Sequence, residues 1–326
     1  PSVETFYDFS LVRSSDVLVS KYLWERSGAV SHRLTRNLNL GRMTPMKAVV
    51  GIDGSKYGDW ALEWVAKLPL KAVPSIVGVH GLDTQSVPTS LITHPSVSGN
   101  EPDEGEVIHF LESQAKQVVA ESEQRMKALG LKGLVRVEKQ AIAKALLKHA
   151  GRNGLVVVGS RGLNALDRLM MGSVSTAVTI HASGPVLVVK EPPKPIRRIL
   201  FATDGSPSSG KALQFLTRLF QVKSAAEPIG ILLVHVMPFL RYTVVKEAGE
   251  KLLAQEAAKL EKSGYRVREF PRVGPAAEEI LKVVGREQPD LIVTGAKGRS
   301  AVARFLQGSV STKIVQRSDC SVLVVR

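Results

Sequence analysis

One unit is written twice in this chain, and that duplication fixes more about the fold than any single motif does. The first copy opens on an apolar run ending in Asp-Gly-Ser, from Lys47 to Ser55, and the second repeats the arrangement from Arg197 to Ser206. Later in the first copy Leu155-Val-Val-Val runs into Gly159-Ser-Arg-Gly162, nine residues follow, and then comes Gly172-Ser-Val-Ser-Thr176. The second copy has Leu291-Ile-Val-Thr, Gly295-Ala-Lys-Gly298, nine residues, and Gly308-Ser-Val-Ser-Thr312. Each copy closes on Val-Leu-Val-Val, at 186–189 and 322–325. The aspartates Asp53 and Asp204 lie 151 residues apart and the glycines Gly159 and Gly295 lie 136 apart, so the second copy is 15 residues shorter in its middle.

Within each copy, short β-branched runs without strict alternation are separated by stretches of helical period. Strands covered on both faces by crossover helices have this pattern. It predicts a doubly wound, Rossmann-like α/β domain in each copy. In the first copy strands are expected near 47–52, 75–80, 133–138, 155–159 and 185–190, with helices near 57–68, 106–129, 141–151 and 173–182. In the second, strands are expected near 197–203, 229–236, 265–270, 290–295 and 321–326, with helices near 208–221, 241–263, 275–287 and 309–318. The resulting division is a peripheral or disordered extension at 1–45, a first domain at 46–190 and a second at 191–326. Met43 or Met46 is an alternative physiological start, and Asp16 to Arg26 is weakly helical.

Glu191-Pro-Pro-Lys-Pro-Ile196 joins the copies. Its prolines favour a semi-rigid spacer of up to about 19 Å at ~3.1 Å per residue, which holds the domains in a fixed relation. Most of the extra length of copy one falls at 82–105, a Pro/Ser/Thr/Gly-containing stretch that reads as a long loop, either a lid or a plain insertion.

Composition narrows the setting. No apolar run approaches the ~20 residues of a membrane-spanning helix. A single cysteine, Cys320, makes no intramolecular disulfide, and no signal segment opens the chain, so a cytoplasmic protein is expected. The formal charge is +14, and residues 191–326 carry most of the excess, with 22 basic against 13 acidic residues. Those cations are dispersed among acids and have no aromatic stacking platform, so a solvated face is favoured over a nucleic-acid surface.

The glycine spacing carries the chemistry. A strand ending in Gly-x-x-Gly, followed by Gly-Ser at a helix start, lines a concavity with backbone N–H groups where a Cβ would block approach and where some glycines are expected to need positive φ. The helix dipole there favours an anion, and Ser173, Ser175, Ser309 and Ser311 add hydroxyls, so a polyphosphate fits. Asp53 and Asp204 end the first strands at the carboxyl edge, where doubly wound folds bind ligands. Each either accepts hydrogen bonds from a base or ribose, or serves its own turn or helix cap. Arg161 and Lys297 are phosphate-contact candidates or exposed loop cations, and His80 and His235 read as core histidines. Met170 and Met171 read as loop packing and Cys320 as a small buried residue. P-loop, dinucleotide, nucleophile-elbow and zinc-helix motifs are absent from the sequence.

Taken together, Gly-x-x-Gly, nine residues, Gly-Ser, the aspartate after the first strand and the closing Val-Leu-Val-Val resemble the universal stress protein family, as a tandem pair covering about residues 46–326. The resemblance implies five-stranded parallel sheets of order 3-2-1-4-5, with the last strands at sheet edges and able to pair the copies as a pseudo-dimer within one chain. A further homodimer is compatible with it. It also implies a site for ATP or another adenine nucleotide in each copy. The adenine and ribose side would be Asp53 and Gly81 in the first and Asp204 and Val236 in the second. The phosphate side would be Gly159, Gly162, Gly172, Ser173, Val174 and Ser175, and then Gly295, Gly298, Gly308, Ser309, Val310 and Ser311. Magnesium is an open companion of the phosphates, with a Ser hydroxyl its only protein ligand in view.

Two positions depart from the repeat: Gly81 where an apolar residue is usual, and Gly154 where copy two has Asp290. The first removes a packing surface for adenine and leads to the expectation of weaker binding in copy one. The function implied is a nucleotide-dependent stress sensor or regulator with slow turnover or none. The alternatives are a hydrolase or transferase drawing His94 and Asp83 from the long loop, and an interaction module that leaves its hollows empty.

Overall fold

In the computed structural model, residues 46–72, 74–82, 104–162, 171–222, 228–239, 242–298 and 308–326 are described. The N-terminal extension, the long loop with Asp83 and His94, and Met170 lie outside them. Residues 45–326 form one compact unit.

In copy one, β1 (Lys47–Ile52), α1 (Lys56–Lys67), β2 (Ser75–Gly81), α2 (Glu104–Ala128), β3 (Gly133–Glu138), α3 (Ile142–Ala150), β4 (Leu155–Gly159), α4 (Ser173–His181) and β5 (Val186–Val189) follow one another. Copy two repeats the series as β6 (Arg198–Thr203), α5 (Pro207–Leu219), β7 (Gly230–Met237), α6 (Tyr242–Lys262), β8 (Arg266–Val273), α7 (Ala276–Glu287), β9 (Leu291–Gly295), α8 (Ser309–Arg317) and β10 (Val322–Val325). The predicted elements are all present. β8 runs three residues past its expected end because its parallel pairing with β7 continues to Met237 opposite Val273.

The strands form a single ten-stranded sheet of order β3-β2-β1-β4-β5-β10-β9-β6-β7-β8. Each half has the 3-2-1-4-5 order and is parallel throughout. The halves meet where β5 pairs antiparallel with β10, Leu187 opposite Leu323. The edge pairing that the resemblance implied is present, and it joins the two five-stranded sheets into one. The physical reason lies in the closing strands: Val-Leu-Val-Val is apolar on both faces, and the pairing buries all eight of its residues, where an edge would leave unpaired backbone exposed.

Alternate residues of each strand feed two cores. Val50, Leu187, Phe201 and Leu323 face α1, α2, α5 and α6, whereas Val49, Val188, Leu200 and Val322 face α3, α4, α7 and α8. Both cores take residues from both copies, so the copies share one interior. Among the described residues no helix is long and apolar enough to cross a membrane.

The proline-rich connection is tied down along its length. Trp64, with no exposed surface, donates Nε1–H to the Glu191 carbonyl at 2.8 Å, Lys67 Nζ donates to the Pro193 carbonyl at 3.3 Å, and Ile196 is buried. Asp290 Oδ2 then accepts both the Arg197 and Arg198 amides at 2.8 Å, clamping the chain as it enters β6. This accounts for one departure from the repeat. The corresponding Gly154 lies where a Cβ would stand 2.5 Å from the Ala150 carbonyl, and both positions are at the amino edge of their strands, opposite the Asp-Gly-Ser turns. Asp290→Ala orphans two amides and is expected to cost about 1–3 kcal/mol, read as a lower urea midpoint, while Asp290→Asn keeps an acceptor and most of the stability.

Candidate functional site

Each hollow starts at an Asp-Gly-Ser turn on the carboxyl edge of the sheet. Gly54 at φ 78° and Gly205 at φ 70° adopt the left-handed backbone of that turn, which disfavours any side chain. Asp53 Oδ1 accepts from the Ser55 amide at 3.0 Å and its hydroxyl at 2.6 Å, and Asp204 Oδ1 accepts from the Ser206 amide at 3.0 Å. The serines cap the helices that follow: Ser55 Oγ accepts from Gly58 N at 3.3 Å and Ser206 Oγ from Ser209 N at 3.2 Å. Of the roles open to the aspartates, the cap thus belongs to serine and the turn to Oδ1.

The other carboxylate oxygen faces the glycine loop. A Cβ on Gly162 would stand 2.6 Å from Asp53 Oδ2, and one on Gly298 would stand 2.8 Å from Asp204 Oδ2. A Cβ on Gly159 would meet Tyr57 Cβ at 2.6 Å, and one on Gly295 would meet the Ser208–Ser209 backbone at 2.7 Å. The sequence reading expected some of these loop glycines to need positive φ, and none of them has it. They are required for close approach, and the left-handed positions are Gly54 and Gly205.

The third glycine of each set starts a helix. Gly172 donates its amide to the Ser160 carbonyl at 2.8 Å and Gly308 to the Ala296 carbonyl at 2.7 Å, which pins the N-termini of α4 and α8 against the Gly-x-x-Gly loops. Neither helix has a side-chain cap. The amides of Ser173, Val174 and Ser175, and of Ser309, Val310 and Ser311, have no acceptors within their helices. The hydroxyls divide. Ser175 Oγ lies 3.2 Å from the Ser160 carbonyl and 2.9 Å from that of Gly172, and Ser311 Oγ lies 3.0 Å from both Ala296 and Gly308 carbonyls. They are buried braces, whereas Ser173 and Ser309 are exposed.

Gly81 and Val236 sit one strand over, since Ile52 pairs with His80 and Thr203 with His235. A Cβ on Gly81 would be 3.2 Å from Ile142 Cβ. Apolar surface beside Gly81 thus comes from the start of α3, where copy two starts α7 with Ala276. His80 and His235 each place Nδ1 2.9 Å from a β-strand carbonyl, of Ile52 and Thr203 respectively, and so are donors there.

The loop cations differ between copies. Arg161 Nη1 donates to the Tyr57 hydroxyl at 3.0 Å. Lys190, at the end of β5, feels Arg161 too: burial, opposed by Asp319 and aided by Arg161, pushes its ammonium down to about 8. In copy two the Lys297 carbonyl accepts from Ser206 Oγ at 3.0 Å. Sequence reading missed Tyr57 and Ile142, although both stand out when the copies are laid side by side, as Ser208 and Ala276 occupy the matching places. The structure brings Asp, Gly-x-x-Gly and helix amides together in each copy. Those residues fit a nucleotide: a carboxylate and an apolar wall for the nucleoside, and outward amides for phosphate.

A sequence profile described as the universal stress protein family matches residues 45–190 and again 195–326. A universal stress protein of Mycolicibacterium smegmatis is 29% identical over 291 residues, covering 85% of this chain and 96% of its own length. Universal stress protein Rv1996 of Mycobacterium tuberculosis is 26% identical over 329 residues, with 87% and 96% covered. Among solved structures, a universal stress protein from Archaeoglobus fulgidus superposes with a TM-score of 0.62 at 21% identity, over 86% of this chain and 98% of that one, a likeness of fold.

Proposed function

The chain belongs to the universal stress protein family, and from that premise we propose that it is a cytoplasmic regulator that binds an adenine nucleotide in each of its two hollows. The observation that carries the reading is the approach of Gly162 to Asp53 Oδ2 and of Gly298 to Asp204 Oδ2, beside a helix N-terminus with outward amides. The carboxylate accepts from ribose or base, and the amides hold phosphate with the helix dipole behind them. Magnesium, where it accompanies the phosphates, would meet the exposed hydroxyls of Ser173 and Ser309.

The same geometry favours regulation over rapid catalysis. The histidines at the strand ends bond strand carbonyls through Nδ1, and the inward serines bond their own backbone, so neither set is arranged as a general base at the phosphates. Bound nucleotide at 100 times Kd adds about 2.7 kcal/mol per site to the folded state, which is the signal such a regulator passes on.

Thermal unfolding with ATP, with AMP and without ligand tests the proposal. A ligand-dependent rise in Tm is expected, lost when Asp53→Ala and Asp204→Ala are combined. No shift with either nucleotide defeats binding. Multiple-turnover hydrolysis near the typical enzymatic rate of roughly 10 per second, abolished by the same substitutions, defeats the regulator assignment.

A further inference from the structure

Beneath the second hollow lies an acid that the nucleotide reading does not use. Glu256, on the sheet side of α6, is 5% exposed, and among the described residues its Oε2 is the one buried carboxylate oxygen without a hydrogen-bond partner. Its carboxyl faces the hydroxyl of Thr203, the residue before Asp204. Thr203 Oγ1 in turn accepts the Gly205 amide at 3.3 Å. One helical turn earlier, Leu252 Cδ2 stands 3.1 Å from where a Cβ on Gly205 would be, so α6 is seated directly on the Asp-Gly-Ser turn. Burial holds the Glu256 carboxyl above its ordinary range, partly offset by the Thr203 hydroxyl and by Lys259, and reinforced by Asp204. The charged groups acting on it are Lys259 on the same helix and Asp204 at the end of β6, while His235 on β7 is already bonded to the Thr203 carbonyl. No ion pair joins Glu256 to any described residue.

Copy one has no such group. Val118 meets Gly54 at 3.1 Å as Leu252 meets Gly205, and that register puts Ser122 in the place of Glu256 and Ile52 in the place of Thr203. We infer that Glu256 is a positioning residue that makes the second hollow, and not the first, responsive to protonation. As a neutral acid it leaves Asp204 the one negative charge at the Asp-Gly-Ser turn that Thr203 and Gly205 hold. As a carboxylate it places a second negative charge beside Asp204 in a buried setting that Thr203 and Lys259 offset only in part, and the turn loosens. This rests on the nucleotide reading for its functional half.

The sign follows from proton linkage. The folded state keeps the Glu256 proton above pH 4.5, where the unfolded chain releases it, so this contribution to stability is full at low pH and is lost as pH rises through the raised folded value. ATP affinity in the second hollow falls in the same direction, by at most about tenfold per pH unit for one linked proton.

The test uses the full chain with Asp53→Ala to silence copy one, with Glu256 intact or replaced as Glu256→Gln or Glu256→Ser, the latter copying Ser122. Infrared difference spectra are expected to show a protonated-carboxyl C=O band that Glu256→Gln removes. ATP affinity should decline with pH in the parent and be flat in both variants. A missing band, or the same pH profile in parent and Glu256→Gln, overturns the inference. Failure of ATP to bind the parent at every pH defeats the nucleotide reading and the functional half with it, while the band and the ligand-free stability profile still decide whether Glu256 holds its proton.

Discussion

Replacing Trp64 by alanine is expected to cost the fold about 3–5 kcal/mol, the range for truncating a fully buried aromatic, and to lower the stability of both copies in one transition. Trp64 has no exposed surface, and it lies in the core that continues from Val50 and Leu187 to Phe201 and Leu323. Its indole also satisfies the Glu191 carbonyl at the start of the connection. Truncation therefore opens a cavity in the shared interior and orphans a carbonyl between the copies. Trp64→Phe refills much of the volume without the donor, so its loss against the parent is chiefly the bond, about 1 kcal/mol or somewhat more, and the difference between the two variants is the cavity. Urea unfolding followed by circular dichroism checks this. Two separated transitions, with copy two unaffected, would show that the copies do not share an interior.

The second large effect comes from the loop glycines and separates binding from stability. Gly298→Ala sets a methyl 2.8 Å from Asp204 Oδ2, and Gly162→Ala sets one 2.6 Å from Asp53 Oδ2. What must yield is the end of a side chain and not backbone, so the fold loses less than at a backbone clash, while the carboxylate leaves its position beside the glycine loop. Nucleotide affinity at the altered copy should drop at least about tenfold, equivalent to 1.4 kcal/mol, with a nearly unchanged Tm in the absence of ligand. Gly295→Ala behaves differently, because its methyl meets the Ser208–Ser209 backbone at 2.7 Å and the backbone does not swing. Overpacking there is expected to cost about 1–3 kcal/mol or more with no ligand present. Titration calorimetry beside thermal unfolding distinguishes the two. Equal affinity loss and equal destabilisation in Gly298→Ala and Gly295→Ala would contradict the geometry.

Much of this was legible in the sequence because repetition supplies its own control. The Asp-Gly-Ser turns, the Gly-x-x-Gly loops and the Gly-Ser helix starts occur twice in register, and their spacing is set by the backbone, which reads the same in both copies. Less legible was how each group is used. Composition does not tell that Ser175 braces a carbonyl while Ser173 faces outward, or that Gly162 is required by a carboxylate arriving from another strand, because those depend on contacts between segments far apart in the chain. Gly81 likewise owes its surroundings to Ile142, the first residue of α3, some sixty residues along the chain. Glu256 lies among several other charges in the stretch expected to be helical near 241–263, and only its burial beneath Thr203 sets it apart.

The reversal of strand direction between β5 and β10 has a consequence for signalling. Carboxyl edges of the two halves point in opposite senses, so the twin recesses open onto opposite rims of the molecule. Under the proposed function no small ligand would span both sites, and occupancy of one would reach the other only through the common interior. As the regulator proposed above, such a molecule would answer to two occupancies from two separate faces.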